Sequence, residues 1–306
     1  MLRPNFLLLG APKCGTSSLF NWLAAHPGIA GSRRKETFIL MDRENPLLGH
    51  PNIHDDGLAA FAAEYDAVCR APVRMEATTH TLFQRTALQA AVQWPDLRVV
   101  VILREPAARV LSSFSYTQNN LGRIPARVGF ADYLAAVQAG APLTGMVQHP
   151  ASAYVLARDP EYSRYATWLA PWIETLGRDR VLPLLFETMR SDPEGTLREV
   201  VDWLGLEPLA LEPGALSARN RTEAVRSPGL QRAARRLNAA LPVPGGLKRG
   251  LKAAYMAVQG RAAPAQRAAR DRAAFERLRE GYRADNARLA ALTGLDLGAW
   301  SGERAA

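Results

Sequence analysis

The 306-residue chain has little cysteine, no long apolar run and, over much of its last third, little acid. Two cysteines, Cys14 and Cys69, do not make a disulfide framework. No close-spaced Cys/His quartet offers a tetrahedral metal site, so no metal is expected. Apolar runs such as residues 6–9 and 99–103 fall well short of the ~20 residues that cross a bilayer. Residues 1–12 lack the apolar stretch and small-residue cleavage site of a secretory signal. A cytoplasmic location is the default expectation.

The shortage of acid is local. Residues 219–288 hold 17 Lys/Arg against 5 Asp/Glu, a balance of +12 within an overall +9, which leaves the rest of the chain at −3. Such a segment is either the solvated face of Ala/Arg-rich helices or an attractor of an anionic partner, such as a nucleotide, an acidic glycan or a membrane surface. Leu247, Leu251, Tyr255 and Val258 share one helical face there, suited to packing on the protein's own core or to peripheral membrane contact. Nucleic acid is not expected, because no base-stacking motif or recognised module is present.

What remains is 48% apolar and 22% charged, enough to bury a sizeable core. Residues 5–9, 73–77, 98–103 and 181–186 read as strands, the third ("RVVVIL") apolar throughout as strands buried on both faces are. Helical patterns cover 16–25, 82–92, 106–118, 162–176 and 193–204. The alternation predicts a doubly wound α/β sheet, here a P-loop-like three-layer sandwich with a mainly parallel sheet flanked by helices. The expected organisation is a single domain over residues 1–306: an α/β core at 5–216 and a helical, basic C-terminal region at 217–306.

Between the first strand and helix lies "GAPKCGTSSL", residues 10–19. Gly10 and Gly15 keep the spacing of the triphosphate loop G-x-x-x-x-G-K-[ST], yet Thr16 stands where the lysine belongs and Lys13 lies between the glycines. A loop that feeds a helix N-terminus binds an oxyanion. Triphosphate chemistry also needs a metal ion held by an acid ending another strand, but "RVVVIL" is followed by Arg104. A guanidinium there repels a metal and grips a phosphate. The pair of features calls for a nucleotide phosphorylated at two separate places.

"APKCGTSSL" at 11–19 and "LREPAARVLSSF" at 103–114 resemble the two nucleotide motifs of sulfotransferases that use 3′-phosphoadenosine 5′-phosphosulfate (PAPS), and are closest to the heparan-sulfate-type branch with its L-R-[DN]-P-x-x-R-x-x-S motif. Residues 187–208 and 282–300 extend the resemblance over most of the chain. It implies that Lys13, Cys14, Gly15, Thr16, Ser17 and Ser18 hold the 5′-phosphosulfate and that Arg104 and Ser112 hold the 3′-phosphate. Lys13 would also stabilise the leaving nucleotide, with no metal required. Arg109, in mid-helix, is read as a helper of Arg104 or a surface residue.

In "SRRKETFIL", residues 32–40, the resemblance makes Glu36 the general base, with Lys35, Arg33 and Arg34 beside it for an anionic acceptor. Ile39 and Leu40 replace the family's aromatic pair. In "MEATTHTLF", residues 75–83, Glu76 and Thr78 match an acceptor-side motif while Thr79 and Thr81 replace its proline and tyrosine; His80 is an alternative base. Ser163, Arg164 and Tyr165, and Arg219, Asn220 and Arg221, are candidate further contacts. The expected activity is sulfuryl transfer from PAPS to a hydroxyl or amine of a carbohydrate or lipid-linked acceptor. Two alternatives stand beside it: a metal-dependent P-loop nucleotide kinase or NTPase, and a non-catalytic basic protein that binds anions or a membrane surface.

Overall fold

Five short strands, all parallel, form one sheet in the order β2-β3-β1-β4-β5: β1 (Phe6–Gly10), β2 (Ile29–Gly31), β3 (Val73–Glu76), β4 (Arg98–Leu103) and β5 (Val181–Leu185). The structure, a computed structural model, describes residues 3–66, 69–209, 216 and 265–300. Strands β1 and β4 pair from Phe6 with Arg98 to Gly10 with Val101, slipping one register between Leu8 and Gly10. Their runs are apolar because both faces are covered: Phe6, Leu8, Leu9 and Val99 to Leu103 are fully buried.

The described residues fall into two compact units. The first contains the sheet with α1 (Thr16–Leu23), α2 (Ile53–Asp56), α3 (Arg85–Val92), the start of α4 (Pro106–Ser115), and, further along, α7 (Tyr165–Leu176), α8 (Phe186–Ser191), α9 (Pro193–Trp203) and α11 (Arg283–Thr293). Its core includes Trp94, Trp172, Phe61 and the central strands. Phe83 stacks on Tyr162 with ring centroids 4.0 Å apart, and Trp168 meets both rings edge-on.

The second unit holds α4 from Val110 onward, α5 (Phe130–Gln138), α6 (Pro150–Tyr162) up to Glu161, and α10 (Ala265–Gly281). Phe114, Phe130 and Tyr133 form its aromatic centre with Val110, Leu134 and Leu156. Arginines on α10 are used inside this unit. Arg267 donates to the Ala126 and Val128 carbonyls at 2.6 Å each, and Arg270 pairs with Asp132 at 3.0 Å. Part of the basic excess therefore fastens helices instead of facing a partner. The stripe at 247–258, the Arg219–Arg221 group and the rest of the basic region up to residue 264 lie outside the described residues. Among the described residues, no helix is long and apolar enough to cross a membrane.

The four strands expected from apolar runs are present. β2 escaped notice because three residues carry no periodicity. The single helix expected over 162–176 is two: α6 ends at Tyr162 and α7 begins at Tyr165, since Arg164 leaves the helical region at φ −82°, ψ 67°. The stretch 82–92 likewise divides into a 3₁₀ turn, Thr81–Phe83, and α3.

Candidate functional site

In the first unit the candidates gather at the carboxyl edge of the sheet: Lys13 to Ser18 follow β1, Lys35 and Glu36 follow β2, Glu76 ends β3, and Arg104 follows β4. From β1 the chain first builds β2 and β3 on one side and then crosses to β4 on the other. Ligands of open α/β sheets bind at this reversal, outside the carboxyl ends.

The loop after β1 is held to its shape by close approaches. A Cβ on Gly10 would lie 2.5 Å from the Thr79 carbonyl oxygen, and one on Gly15, at φ 85°, would lie 2.3 Å from the Met189 methyl. Lys13 occupies the left-handed region at φ 69°, which costs a non-glycine residue about 1–2 kcal/mol and marks a loop fixed by its surroundings. Gly15 caps α1 without a side chain, and the first turn contains no acid. The Ser18 amide turns back to the Gly15 carbonyl at 2.9 Å. Thr16 and Ser17 open the helix, where N–H groups have no intrahelical acceptor, so the positive end of the dipole meets the loop.

Arg104 closes the other side. Its Nη1 donates to the Lys13 carbonyl at 3.2 Å, and its guanidinium lies 4.8 Å from the centre of the Phe186 ring. The neighbouring Glu105 does not act as a strand-end metal ligand: its two oxygens accept from the Ala107 and Ala108 amides at 3.0 and 2.6 Å, capping α4. Ser112 is half-buried on that helix. Among the described residues no group of three or more Asp, Glu, His or Cys side chains could hold a metal ion.

Behind the loop is a buried polar layer. The Tyr165 hydroxyl donates to the Arg104 carbonyl at 2.9 Å, and the Cys14 thiol donates to the Pro12 carbonyl at 3.6 Å. Burial pushes the Cys14 pKa up to about 11 against the opposing pull of Arg109 and Arg104, and burial likewise raises the Tyr165 hydroxyl well above its usual range. Arg109, read from the sequence as a helper or a surface residue, is fully buried and donates from Nε to Ser163 Oγ at 2.9 Å. Glu187 accepts from the Glu105 amide at 3.1 Å and from the Trp300 indole at 3.0 Å. Arg164 is ion-paired with Asp285. From the sequence Tyr165 was a candidate further contact and Arg109 a helper of Arg104 or a surface residue; neither reading foresaw a buried seat.

On the β2–β3 side, Lys35 Nζ donates to Glu36 Oε1 at 2.9 Å and to the Ala77 carbonyl at 3.2 Å. The Glu36 side chain keeps 31% of its surface exposed. Arg33 pairs with Asp66 at 2.5 Å, and Arg34 makes two bonds to Glu64 Oε1 at 2.8 and 2.5 Å. Both are thus engaged by acids of the chain itself.

Glu76 is fully buried. Its Oε1 accepts from Thr37 N and Oγ1 at 3.2 and 2.9 Å, from Thr78 N at 3.0 Å, and from Thr78 Oγ1. Thr78 Oγ1 in turn accepts from the Phe38 amide at 3.1 Å. This knot ties the segment carrying Lys35 and Glu36 to the end of β3. Glu76 and Thr78 therefore hold the loop from below. Burial raises the Glu76 pKa, opposed by the Thr78 and Thr37 hydrogen bonds. His80 lies at the following 3₁₀ turn, its ring edge-on to Phe83 at 6.4 Å.

Comparison with known proteins bears on this arrangement. Residues 3–220 match the model of the sulfotransferase domain family. Mouse heparan sulfate glucosamine 3-O-sulfotransferase 3B1 is 25% identical over 207 residues, covering 67% of this chain and 46% of that protein. Mouse carbohydrate sulfotransferase 15 is 23% identical over 269 residues, covering 74% and 48%. The chain thus spans about half the length of the curated relatives it matches. The crystal structure of a sulfotransferase from Alicyclobacillus acidocaldarius superposes with a TM-score of 0.64 at 22% identity, covering 98% of this chain and all of that one. At that identity the likeness establishes the fold.

Proposed function

The chain belongs to the sulfotransferase domain family, and from that premise we propose that it moves the sulfuryl group of PAPS to an acceptor hydroxyl or amine on a carbohydrate. The observation that carries this reading is the bond from Arg104 to the Lys13 carbonyl. It sets a strand-end guanidinium beside an anion-binding loop, where a triphosphate enzyme would present an acid for its metal. Glu105, the acid that follows Arg104, is occupied as a helix cap. This disfavours the kinase or NTPase reading.

The loop and the first turn of α1 fit a 5′-phosphosulfate: amides, hydroxyls of Thr16, Ser17 and Ser18, and no acid in the turn. Arg104 is the residue for the 3′-phosphate. Lys13 supplies positive charge where the phosphate oxygen is released. During transfer the acceptor oxygen or nitrogen bonds to sulfur, the sulfur–oxygen bond to the phosphate breaks, and the acceptor proton passes to Glu36. Lys35, bonded to Glu36, orients the carboxylate. 3′,5′-ADP is then the product.

A carbohydrate acceptor is supported by the names of two matched relatives, a heparan sulfate glucosamine sulfotransferase and a carbohydrate sulfotransferase. Radiolabelled PAPS incubated with the protein and a panel of glycans, lipid alcohols and small phenols tests the assignment. Label in the glycans supports it; transfer confined to lipids or phenols contradicts the acceptor class.

A further inference from the structure

Glu36 sits between two residues that are both tied to the end of β3. Before it, Lys35 exchanges two bonds with Ala77: the Ala77 amide donates to the Lys35 carbonyl at 3.2 Å, and Lys35 Nζ donates to the Ala77 carbonyl at 3.2 Å. After it, Thr37 is 1% exposed and gives both its amide and its hydroxyl to Glu76 Oε1, at 3.2 and 2.9 Å. Ser32, just past β2, continues the same seam with its amide on the Met75 carbonyl at 2.8 Å.

Glu76 is the knot of this seam. The same Oε1 accepts the Thr78 amide at 3.0 Å and the Thr78 hydroxyl, and Thr78 Oγ1 accepts the Phe38 amide at 3.1 Å. One buried oxygen thus gathers four donors, and the Phe38 amide reaches it through a single hydroxyl. Phe38 is held at φ 57°, in the left-handed region, and from its other side the Gly49 amide donates to its carbonyl at 3.1 Å. A bulky residue keeps such a conformation where its surroundings over-determine it. The Glu36 side chain, in contrast, keeps 31% of its surface exposed. A backbone fixed from below with a carboxylate open at the edge is the arrangement of a group that meets its ligand from a preset position.

We infer that Glu76 is a positioning residue for the transfer step: by gathering Thr37 and Thr78 on one oxygen it fixes the backbone beside Glu36, and so sets the base against the acceptor proton. The inference rests on the reading of Glu36 as the base and deepens it. Glu76 acts through Glu36, so its loss is felt in the chemical step. The donor subsites lie elsewhere on the sheet edge, after β1 and β4, and keep their affinity.

The experiment measures transfer from labelled PAPS to the panel member that takes most label, for Glu76→Ala, Glu76→Gln, Glu36→Gln and the double variant Glu36→Gln with Glu76→Ala, while calorimetry reads 3′,5′-ADP affinity. Glu76→Ala is expected to lower kcat about 10- to 100-fold, the scale of a misplaced group, with KM for PAPS and 3′,5′-ADP affinity unchanged. Glu76→Gln keeps an oxygen acceptor in the same place and restores most of the lost kcat. On the Glu36→Gln background, Glu76→Ala costs less than about twofold more, because residues that act as a unit are not additive. The same fold loss on both backgrounds, a loss in KM for PAPS or in 3′,5′-ADP affinity, or no loss in Glu76→Ala overturns the inference and leaves the base reading intact. Full turnover in Glu36→Gln, or no transfer by the unsubstituted protein to any panel member, overturns both. If Glu76→Ala does not fold, Thr78→Val removes the hydroxyl between Glu76 and the Phe38 amide and is held to the same cycle.

Discussion

Arg104 and Lys13 are 91 positions apart in the chain, yet the guanidinium Nη1 of the first lies 3.2 Å from the carbonyl oxygen of the second. The loop is shaped by Lys13 in a left-handed conformation, and the strand end contributes a planar guanidinium suited to a phosphate. The side chain spends one of its five N–H groups on the loop and keeps others for a ligand. Arg104→Ala is expected to weaken 3′,5′-ADP binding about 10- to 100-fold, the worth of charge-assisted hydrogen bonds, and to change 5′-AMP binding by less than about threefold. Titration calorimetry reads both. Parallel losses for the two nucleotides would place Arg104 outside the 3′-phosphate subsite.

Glu36 is the carboxylate of this edge with both exposure and a fixed partner, Lys35 at 2.9 Å. Glu36→Gln should lower kcat by ~10² to 10⁴ while 3′,5′-ADP affinity stays within about twofold. Steady-state turnover with labelled donor checks the first part and calorimetry the second. Full turnover in the variant would transfer the base role to His80.

Glu76 gives a pH signature. Its pKa is raised in the folded protein, burial being the largest cause, so the native state holds that proton more tightly than the unfolded chain does. Its contribution to stability is therefore fully present below the usual carboxylate pKa and is lost as pH rises through the raised value. Denaturant unfolding of the protein and of Glu76→Gln should show the stability difference moving against the glutamate as pH rises above about 4.5, its ordinary value. A difference independent of pH would contradict the raised pKa.

Cys14 and Cys69 differ in environment. Cys14 is buried with its pKa pushed up to about 11, whereas Cys69 is half-exposed. At pH 8 about one Cys14 in a thousand is thiolate, the form that reacts. Iodoacetamide should alkylate Cys69 and spare Cys14 in the folded protein, and label both after denaturation. Peptide mass spectrometry distinguishes the two sites, and equal labelling of native protein would refute the buried seat.

Some of this architecture was readable directly and some was not, for physical reasons. "RVVVIL" announced β4 because a strand covered on both faces is apolar, as it is from Val99 on, and the glycine spacing announced the loop because the Thr79 carbonyl leaves no room for a Cβ at Gly10 and Gly15 takes a positive φ of 85°. The Arg104 position was visible as a cation where an acid was due. Arg109 and Tyr165 were named in the sequence as a helper or surface residue and as a further contact, but their burial was not visible, because it comes from partners far along the chain. Glu76 was found for the wrong neighbour: the motif suggested an acceptor, whereas its carboxylate binds Thr37 and Thr78 of the chain itself. Arg33 and Arg34 looked like anion receivers until Asp66 and Glu64 were seen to meet them. Pairings between distant residues leave no periodic trace.

The central claim is that loop and strand end together recognise a nucleotide phosphorylated at both the 3′ and 5′ positions. Calorimetric titration of the protein with 3′,5′-ADP, 5′-ADP and magnesium-ATP tests it most directly. The account predicts tight binding of 3′,5′-ADP, at least tenfold weaker binding of 5′-ADP, and no preference for magnesium-ATP. Tight binding of magnesium-ATP with none of 3′,5′-ADP would contradict it.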